Sequence, residues 1–124
     1  IRDALELIEK NYGRKIDFSK MDYDDPKVYE LLSSGNTLGV FQLESAGMRS
    51  FMKQLRPDNF EDIVAGISLY RPGPMDSIPT YIENKNNPDK VTYIHERLKP
   101  IMDVTYGCLV YQEQVMQVAM VVVT

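Results

Sequence analysis

The 124-residue sequence has one cysteine, one histidine and no tryptophan. Because Cys108 has no second cysteine to pair with, an internal disulfide and a cysteine-rich zinc site are both excluded. Because His95 is the only histidine, a histidine-based metal site or a Ser-His-Asp triad lacks its main component. No signal peptide is recognisable, and no apolar run approaches the roughly 20 residues that a membrane-spanning helix needs. These absences favour a cytoplasmic protein with no membrane partner.

Basic residues are too few for a free-standing nucleic-acid binder. Lysine and arginine number 14 against 18 aspartates and glutamates, which gives a formal net charge of −4 at pH 7. Apolar residues make up 44% and charged residues 26%, which is ordinary for one soluble domain with a modest core. The composition therefore excludes a wholly basic DNA-binding protein but leaves room for a local basic patch.

Both ends of the sequence lie inside apolar patterns. Ile1, Leu5 and Ile8 fall at i, i+4 and i+7, so a helical pattern is already running at the first residue. Thr124 directly follows three valines, with no capping residue, glycine or proline between. We therefore expect an internal piece of a longer intracellular protein, and a processed small protein is the alternative.

Apolar spacing predicts an all-α fold, an irregular bundle of about six short helices. The clearest helix spans 44–56, whose apolar residues repeat at i, i+3, i+4 and i+7. The stretch 38–43 fits either an extended buried segment or the lead-in to this helix. Further helices are expected over 1–11, 26–32, 60–67 and 76–85, and from about Tyr111 onward.

The sequence also suggests where these helices begin and which residues they bury. Asp25 before Pro26 predicts a helix start, and Asp58 with Glu61 resembles a capping box for the next helix. Asp76 is expected to cap the helix over 76–85. The apolar stripe of the fourth helix is expected to comprise Phe60, Ile63, Val64 and Ile67. In the last helix, the residues expected to face inward are Val115, Met116, Ala119, Met120 and Val123.

Three groups of polar residues are candidates for contact with a nucleotide or nucleic acid. In the segment 70–74, two prolines and a glycine form a rigid corner that holds Arg71 beside Tyr70. Such a guanidinium suits phosphate oxygens or stacking on a base, although a plain helix-to-helix corner explains the segment equally well. The second group is a basic line at i, i+4 and i+7 that consists of Arg49, Lys53 and Arg56. These cations either contact phosphates or form an ordinary solvated helix face.

Two glutamines form the third group. Gln112 and Gln114 open the last helix, where their amides either read base edges or form a polar seam between helices.

Three other features favour a structural role. The acidic connector 17–25 does not have EF-hand spacing, which favours a solvated loop over a divalent-cation site. His95 is expected at the surface, and Cys108 is expected to be a buried, inert thiol.

Three motifs in order make the chain resemble one family. They are TLGVFQLES at 37–45, FEDI at 60–63 leading to LYRPGP at 69–74, and TYG at 105–107 leading to VYQEQVMQ at 110–117. Together they closely resemble the α subunit of bacterial DNA polymerase III, the C-family replicative DNA polymerase. The resemblance runs from about 17 to 117 and places the chain at the start of the fingers. It implies one fragment over 1–124, in which 1–16 are the palm-to-fingers helix and connector and 17–124 the N-terminal part of the fingers.

The resemblance also implies a role. The parent would be a DNA-directed DNA polymerase, a nucleotidyltransferase whose palm aspartates hold two Mg²⁺ ions. Those aspartates precede this stretch in the family, so the fragment alone is expected to be inactive, with no catalytic residue, metal ligand or cofactor. The implied partners are the DNA template-primer, dNTP, the rest of the polymerase chain and, through other regions, replisome subunits.

The resemblance assigns the candidate residues as follows. Those expected near the nucleotide or DNA are Arg71, Tyr70, Gln112 and Gln114. The phosphate-facing candidates are Arg49, Lys53 and Arg56. The alternative function is a helical protein-interaction module with no nucleotide role.

Overall fold

The computed structural model describes residues 1–123, which form seven α-helices and no strand. The helices are α1 Arg2–Tyr12, α2 Pro26–Ser34, α3 Ala46–Leu55, α4 Phe60–Leu69, α5 Ile78–Asn86, α6 Lys99–Met102 and α7 Gln112–Val123. Short 3₁₀ turns lie at Phe18–Lys20, Pro74–Ser77, Pro88–Lys90, Glu96–Leu98 and Asp103–Thr105. The all-α prediction is confirmed. Each helix in this range is too short or too polar to cross a membrane.

Local capping chemistry sets several of the helix ends. The Asp25 carboxylate accepts a hydrogen bond from the Lys27 N–H at 2.9 Å, and Pro26 occupies the first turn of α2, as predicted. Ser45 caps α3 by accepting from the Met48 N–H. Gly13 ends α1 in the left-handed region at φ 63°, where glycine carries no steric penalty.

Two predicted caps are wrong by position. Asn59, not Asp58, caps α4: its side-chain oxygen accepts from the Asp62 N–H at 3.0 Å. The reciprocal acidic residue is therefore Asp62 rather than Glu61. Asp76 does not cap α5, because a 3₁₀ turn over Pro74–Ser77 precedes that helix.

The stretch 38–43 is neither extended nor helical. It consists of two successive turns, closed by the Val40 N–H to the Thr37 carbonyl at 3.1 Å and the Leu43 N–H to the Val40 carbonyl at 3.0 Å. The buried Thr37 hydroxyl donates to the Leu43 carbonyl at 2.6 Å and ties the loop together. The loop buries Leu43 but leaves Leu38 and Phe41 largely exposed.

The core forms around α3. The predicted stripe of α3 is confirmed, since Met48, Phe51, Met52 and Leu55 are all buried. The rest of the core cluster comprises Leu32, Leu43, Ala65, Leu69, Tyr81, Cys108 and Val110. These side chains come from α2, the loop before α3, α4, α5 and the segment before α7, and α3 packs directly against α2 and α4.

The inward face of helix α4 matches the prediction only in part: Ile63 packs against the core and Val64 is half-buried. The buried residues of α4 are Asp62, Ala65, Gly66 and Leu69, whereas Phe60 and Ile67 are exposed. The physical reason is close approach to α3. A Cβ placed on Gly66 would lie 2.9 Å from Met52 Cε and 3.0 Å from Leu55 Cδ2. Small residues therefore occupy the contact, and larger apolar ones lie beside it.

Helix α7 also contradicts its predicted orientation. The residues expected to face inward are all exposed: Val115, Met116, Ala119, Met120 and Val123. The one buried side chain among those described in α7 is Gln114. A hydrogen-bonded glutamine in the first turn therefore attaches this helix to the domain, and the half-buried Val118 and Val121 follow it on the same face.

Candidate nucleotide and nucleic-acid interface

The corner after α4 is held by its own backbone. Helix α4 ends at Tyr70, whose N–H donates to the Gly66 carbonyl at 3.1 Å. The Arg71 N–H donates to the Leu69 carbonyl at 2.9 Å, and the Arg71 carbonyl accepts from the Met75 N–H at 3.2 Å. The backbone that carries the Arg71 side chain is therefore fixed on both sides.

The Arg71 side chain itself is exposed. Within residues 1–123 its guanidinium makes no hydrogen bond or ion pair. Arginine carries a permanent charge and five donors in a planar fork that matches phosphate oxygens. The corner thus presents an uncommitted cation on a rigid support.

Tyr70 lies against α3 at this corner. Its ring stacks on Phe51 with centroids 5.9 Å apart and an interplanar angle of 17°. It also forms one wall of a groove of about 310 Å³. The other lining residues are Phe41, Gln42, Glu44, Ser45, Met48 and Ile67. The groove therefore joins the first motif of the sequence, the loop before α3, to the Tyr70–Arg71 corner.

The basic line on α3 divides into two kinds of cation. Arg49 is half-buried, and its Nε donates to the Gly35 carbonyl at 2.8 Å, which satisfies the C-terminal end of α2. Lys53 and Arg56 are exposed, and their charged groups make no hydrogen bond or ion pair with any described residue. The Arg49 guanidinium is therefore bonded within the fold, whereas the charged groups of Lys53 and Arg56 are available to contact a ligand.

The two glutamines of α7 also differ. Gln114 is 4% exposed. Its Oε1 accepts from the Val110 and Tyr111 N–H groups, both at 2.9 Å, and its Nε2 donates to the Ile101 carbonyl at 3.0 Å and the Thr105 hydroxyl at 2.7 Å. Gln112 is exposed at the first position of the helix. Gln114 forms a polar seam, and any effect it has on a ligand passes through the segment that it holds.

A buried charged cluster at the start of α4 escaped the sequence analysis. The Asp62 carboxylate accepts from the Asp58 N–H at 3.2 Å and the Asn59 amide at 3.1 Å, and Lys85 Nζ lies 3.2 Å away. Burial raises the pKa of Asp62, and the Lys85 ammonium opposes that shift. The Asn59-x-x-Asp62 spacing was the signal that could have identified this cluster.

The acidic connector is used for local hydrogen bonds. Asp17 accepts from the Ser19 N–H at 3.0 Å and its hydroxyl at 2.6 Å, and Asp22 accepts from the Asp24 N–H. Residues 1–123 contain no group of three or more His, Cys, Asp or Glu side chains that could hold a metal ion. The described residues therefore do not fit the Mg²⁺ ions that the resemblance implies for the parent.

His95 and Cys108 occupy the environments that were predicted. His95 is exposed, and its Nδ1 accepts from the Arg97 N–H at 3.1 Å. Cys108 is buried, and burial raises the pKa of its thiol, which disfavours the reactive thiolate.

The chain belongs to a family of polymerase finger domains. That family is described as the bacterial DNA polymerase III alpha subunit finger domain, and it matches residues 1–124. The chain is 56% identical over 119 residues to DNA polymerase III subunit alpha from Staphylococcus aureus strain COL. It is 54% identical over 119 residues to the subunit of the same name from Staphylococcus epidermidis strain ATCC 12228. These matches cover 96% of this chain and 11% of each relative, so the chain spans about a ninth of their length.

Contacts of the seven candidate residues with nucleotide or DNA stay predictions. The structure brings Tyr70 and Arg71 together at one corner. It separates the exposed Lys53 and Arg56 from the engaged Arg49, and the exposed Gln112 from the buried Gln114.

Proposed function

We propose that this chain is a fingers segment that helps to position the incoming dNTP and the template-primer in a replicative DNA polymerase. The nucleotidyl transfer itself belongs to palm aspartates and Mg²⁺ ions elsewhere in the parent. The isolated chain is expected to be inactive. The observation that carries the proposal is the exposed, uncommitted Arg71 guanidinium on a backbone fixed by two hydrogen bonds.

Phosphoryl transfer gains most of its rate from positioning and from stabilisation of negative charge. Because the backbone of Arg71 is already fixed, only its side chain has to be ordered when the planar guanidinium binds phosphate. The stacked ring of Tyr70 limits movement of the residue before Arg71. Arg71 is therefore suited to contact phosphate oxygens of the nucleotide or the template-primer.

The other candidate residues take supporting roles in this proposal. Lys53 and Arg56 face the template-primer phosphates as exposed cations. Arg49 acts through the end of α2, which it holds. Gln114 fixes the start of α7. The proposal assigns the exposed Gln112 of the same turn to contact with the nucleotide or template. The setting is cytoplasmic, and the partners are DNA, dNTP, the rest of the polymerase chain and replisome subunits bound through other regions.

The test is Arg71→Ala in the full-length parent polymerase, with dNTP KM and turnover measured on primed DNA. A charge-assisted hydrogen bond contributes about 1.5–3 kcal/mol, so kcat/KM for dNTP should fall by about 10- to 100-fold. Arg71→Lys should recover part of this loss, because the charge remains and the planar fork does not. Arg97→Ala, which removes an exposed arginine from the 96–98 turn, is the matched control and should leave incorporation unchanged.

Normal dNTP KM and turnover in Arg71→Ala would contradict the proposal. That result would favour the alternative, a helical protein-interaction module with no nucleotide role.

A further inference from the structure

Gly47 lies in the first turn of α3, and its backbone does not require glycine. Its φ is outside the left-handed region, unlike that of Gly35 or Gly73. Within a helix, alanine is ordinarily preferred to glycine, because glycine loses more conformational freedom on folding. The reason for a glycine at position 47 therefore lies in the space around it.

That space is occupied by the end of the Tyr70 ring. A Cβ placed on Gly47 would lie 1.7 Å from Tyr70 Oη and 2.9 Å from Tyr70 Cζ. Ordinary contact between heavy atoms needs about 3.5–4.0 Å, so the phenol would have to retreat by roughly 2 Å. The absence of a side chain at Gly47 is what admits the ring.

On the side that faces Phe51, the ring has little room to move. Its stacking partner Phe51 is 4% exposed and belongs to the core, and it lies on the same helix as Gly47. The Tyr70 N–H is bonded to the Gly66 carbonyl, and the next N–H, that of Arg71, is bonded to the Leu69 carbonyl. If the ring keeps its stacking on Phe51, a shift forced by a Cβ at position 47 is taken up by the short backbone segment that carries Arg71.

We propose that Gly47 is a positioning residue for the Arg71 corner. It holds Tyr70 against α3, and through Tyr70 it sets where the Arg71 guanidinium meets phosphate. This inference rests on the proposed role of Arg71. It adds that the geometry of the corner is determined by a helix that lies before it in the chain.

The experiment is a double-mutant cycle of Gly47→Ala and Arg71→Ala in the full-length parent polymerase, with dNTP KM and kcat as readouts. A misplacement of about 1 Å costs up to about 100-fold, so Gly47→Ala alone should lower kcat/KM by roughly 10- to 100-fold, chiefly through KM. In the Arg71→Ala background the same change should have almost no further effect. Ser50→Ala, at an exposed position of the same helix, is the control and should behave as wild type.

The cycle separates this inference from the proposed function. If Arg71→Ala lowers kcat/KM and Gly47→Ala does not, the positioning role is overturned and the function of Arg71 stands. If Gly47→Ala lowers kcat/KM equally in both backgrounds, the residue acts by another route and the positioning role is again overturned. If Arg71→Ala has no effect, the proposed function fails, and the positioning role fails with it.

A second pair of variants tests the steric route if Gly47→Ala does not fold. Replacing Tyr70 by leucine removes the phenol that a Cβ at position 47 would meet. Tyr70→Leu and the Gly47→Ala Tyr70→Leu double variant should therefore have the same dNTP KM. A clearly higher KM in the double variant would overturn the inference.

Discussion

The start of α4 and its end use charge in opposite ways. At the start, the Asp62 carboxylate is 1% exposed and is surrounded by the Asp58 N–H, the Asn59 amide and the Lys85 ammonium. At the end, the Arg71 guanidinium is exposed and pairs with no described residue. The Asp62 carboxylate is satisfied within the fold, whereas the Arg71 guanidinium is carried by a fixed backbone and remains exposed.

The contrast gives a criterion for separating structural from functional polar residues. A buried polar group must be satisfied within the chain, because an unmet donor or acceptor costs about 1–3 kcal/mol. An exposed cation is solvated by water, so it needs no partner within the chain and is free to contact a ligand. The same division separates Arg49 from Lys53 and Gln114 from Gln112. Each pair lies on one helix, and its members differ in exposure and in hydrogen-bond partners within the fold.

The largest effect is expected at the buried end of α4. Asp62→Ala removes the acceptor for the Asp58 N–H and the buried partner of Lys85, whose side chain is 9% exposed and keeps only the exposed Asp58 as an ion-pair partner, at 3.4 Å. Loss of one member of a buried pair costs about 3–5 kcal/mol. Amide hydrogen exchange in the parent polymerase should show that much loss in the free energy of local opening at the start of α4.

Glu61→Ala, at the exposed neighbouring position, is the control and should change the opening free energy by less than about 0.5 kcal/mol. If Asp62→Ala changed the opening free energy as little as this control, the buried carboxylate would stabilise the fold no more than an exposed charge does. The contrast between the two ends of α4 would then not hold.

The glutamine pair should show the next largest effect. Gln114→Ala removes two acceptor and two donor contacts from buried or half-buried groups, so we expect a loss of about 2–4 kcal/mol in protection over 101–114. Gln112→Ala, at an exposed position of the same helix, should change protection by less than about 0.5 kcal/mol. Hydrogen exchange in the parent measures both, and similar losses from the two variants would contradict the division.

Local chemistry explains what the sequence could predict of the fold. The face of α3 followed from the spacing of its four apolar residues, and the start of α2 followed from Asp25 and Pro26. The faces of α4 and α7 could not be derived in this way. Close packing of Gly66 on Met52, and attachment of α7 by Gln114, depend on which helices meet rather than on periodicity within one helix.

The candidate site was predictable to a similar extent. Two prolines and a glycine in 72–74 predicted a rigid corner, and the structure has one there. That Arg49 bonds to Gly35 while Arg71 stays exposed depends on tertiary placement. The fit of Tyr70 against Gly47 joins residues far apart in the sequence, and no local motif encodes it.

The smallest expected effect concerns the basic line on α3. In the parent polymerase, Lys53→Ala should reduce the slope of log affinity for primed DNA against log salt by about 0.7–0.9, the value for one lost phosphate contact. Arg49→Ala should change this slope less, because its guanidinium already serves the Gly35 carbonyl, and should instead cost about 1 kcal/mol in the local stability of the α2 end. Binding titrations across several salt concentrations, with hydrogen exchange over 26–35, separate the two responses. An unchanged slope in Lys53→Ala would remove it from the phosphate-facing group. Equal slope changes in both variants would show that a cation with a hydrogen bond inside the fold can still contact DNA. The criterion drawn from Asp62 and Arg71 would then not apply to α3, where the two kinds of cation lie closest together.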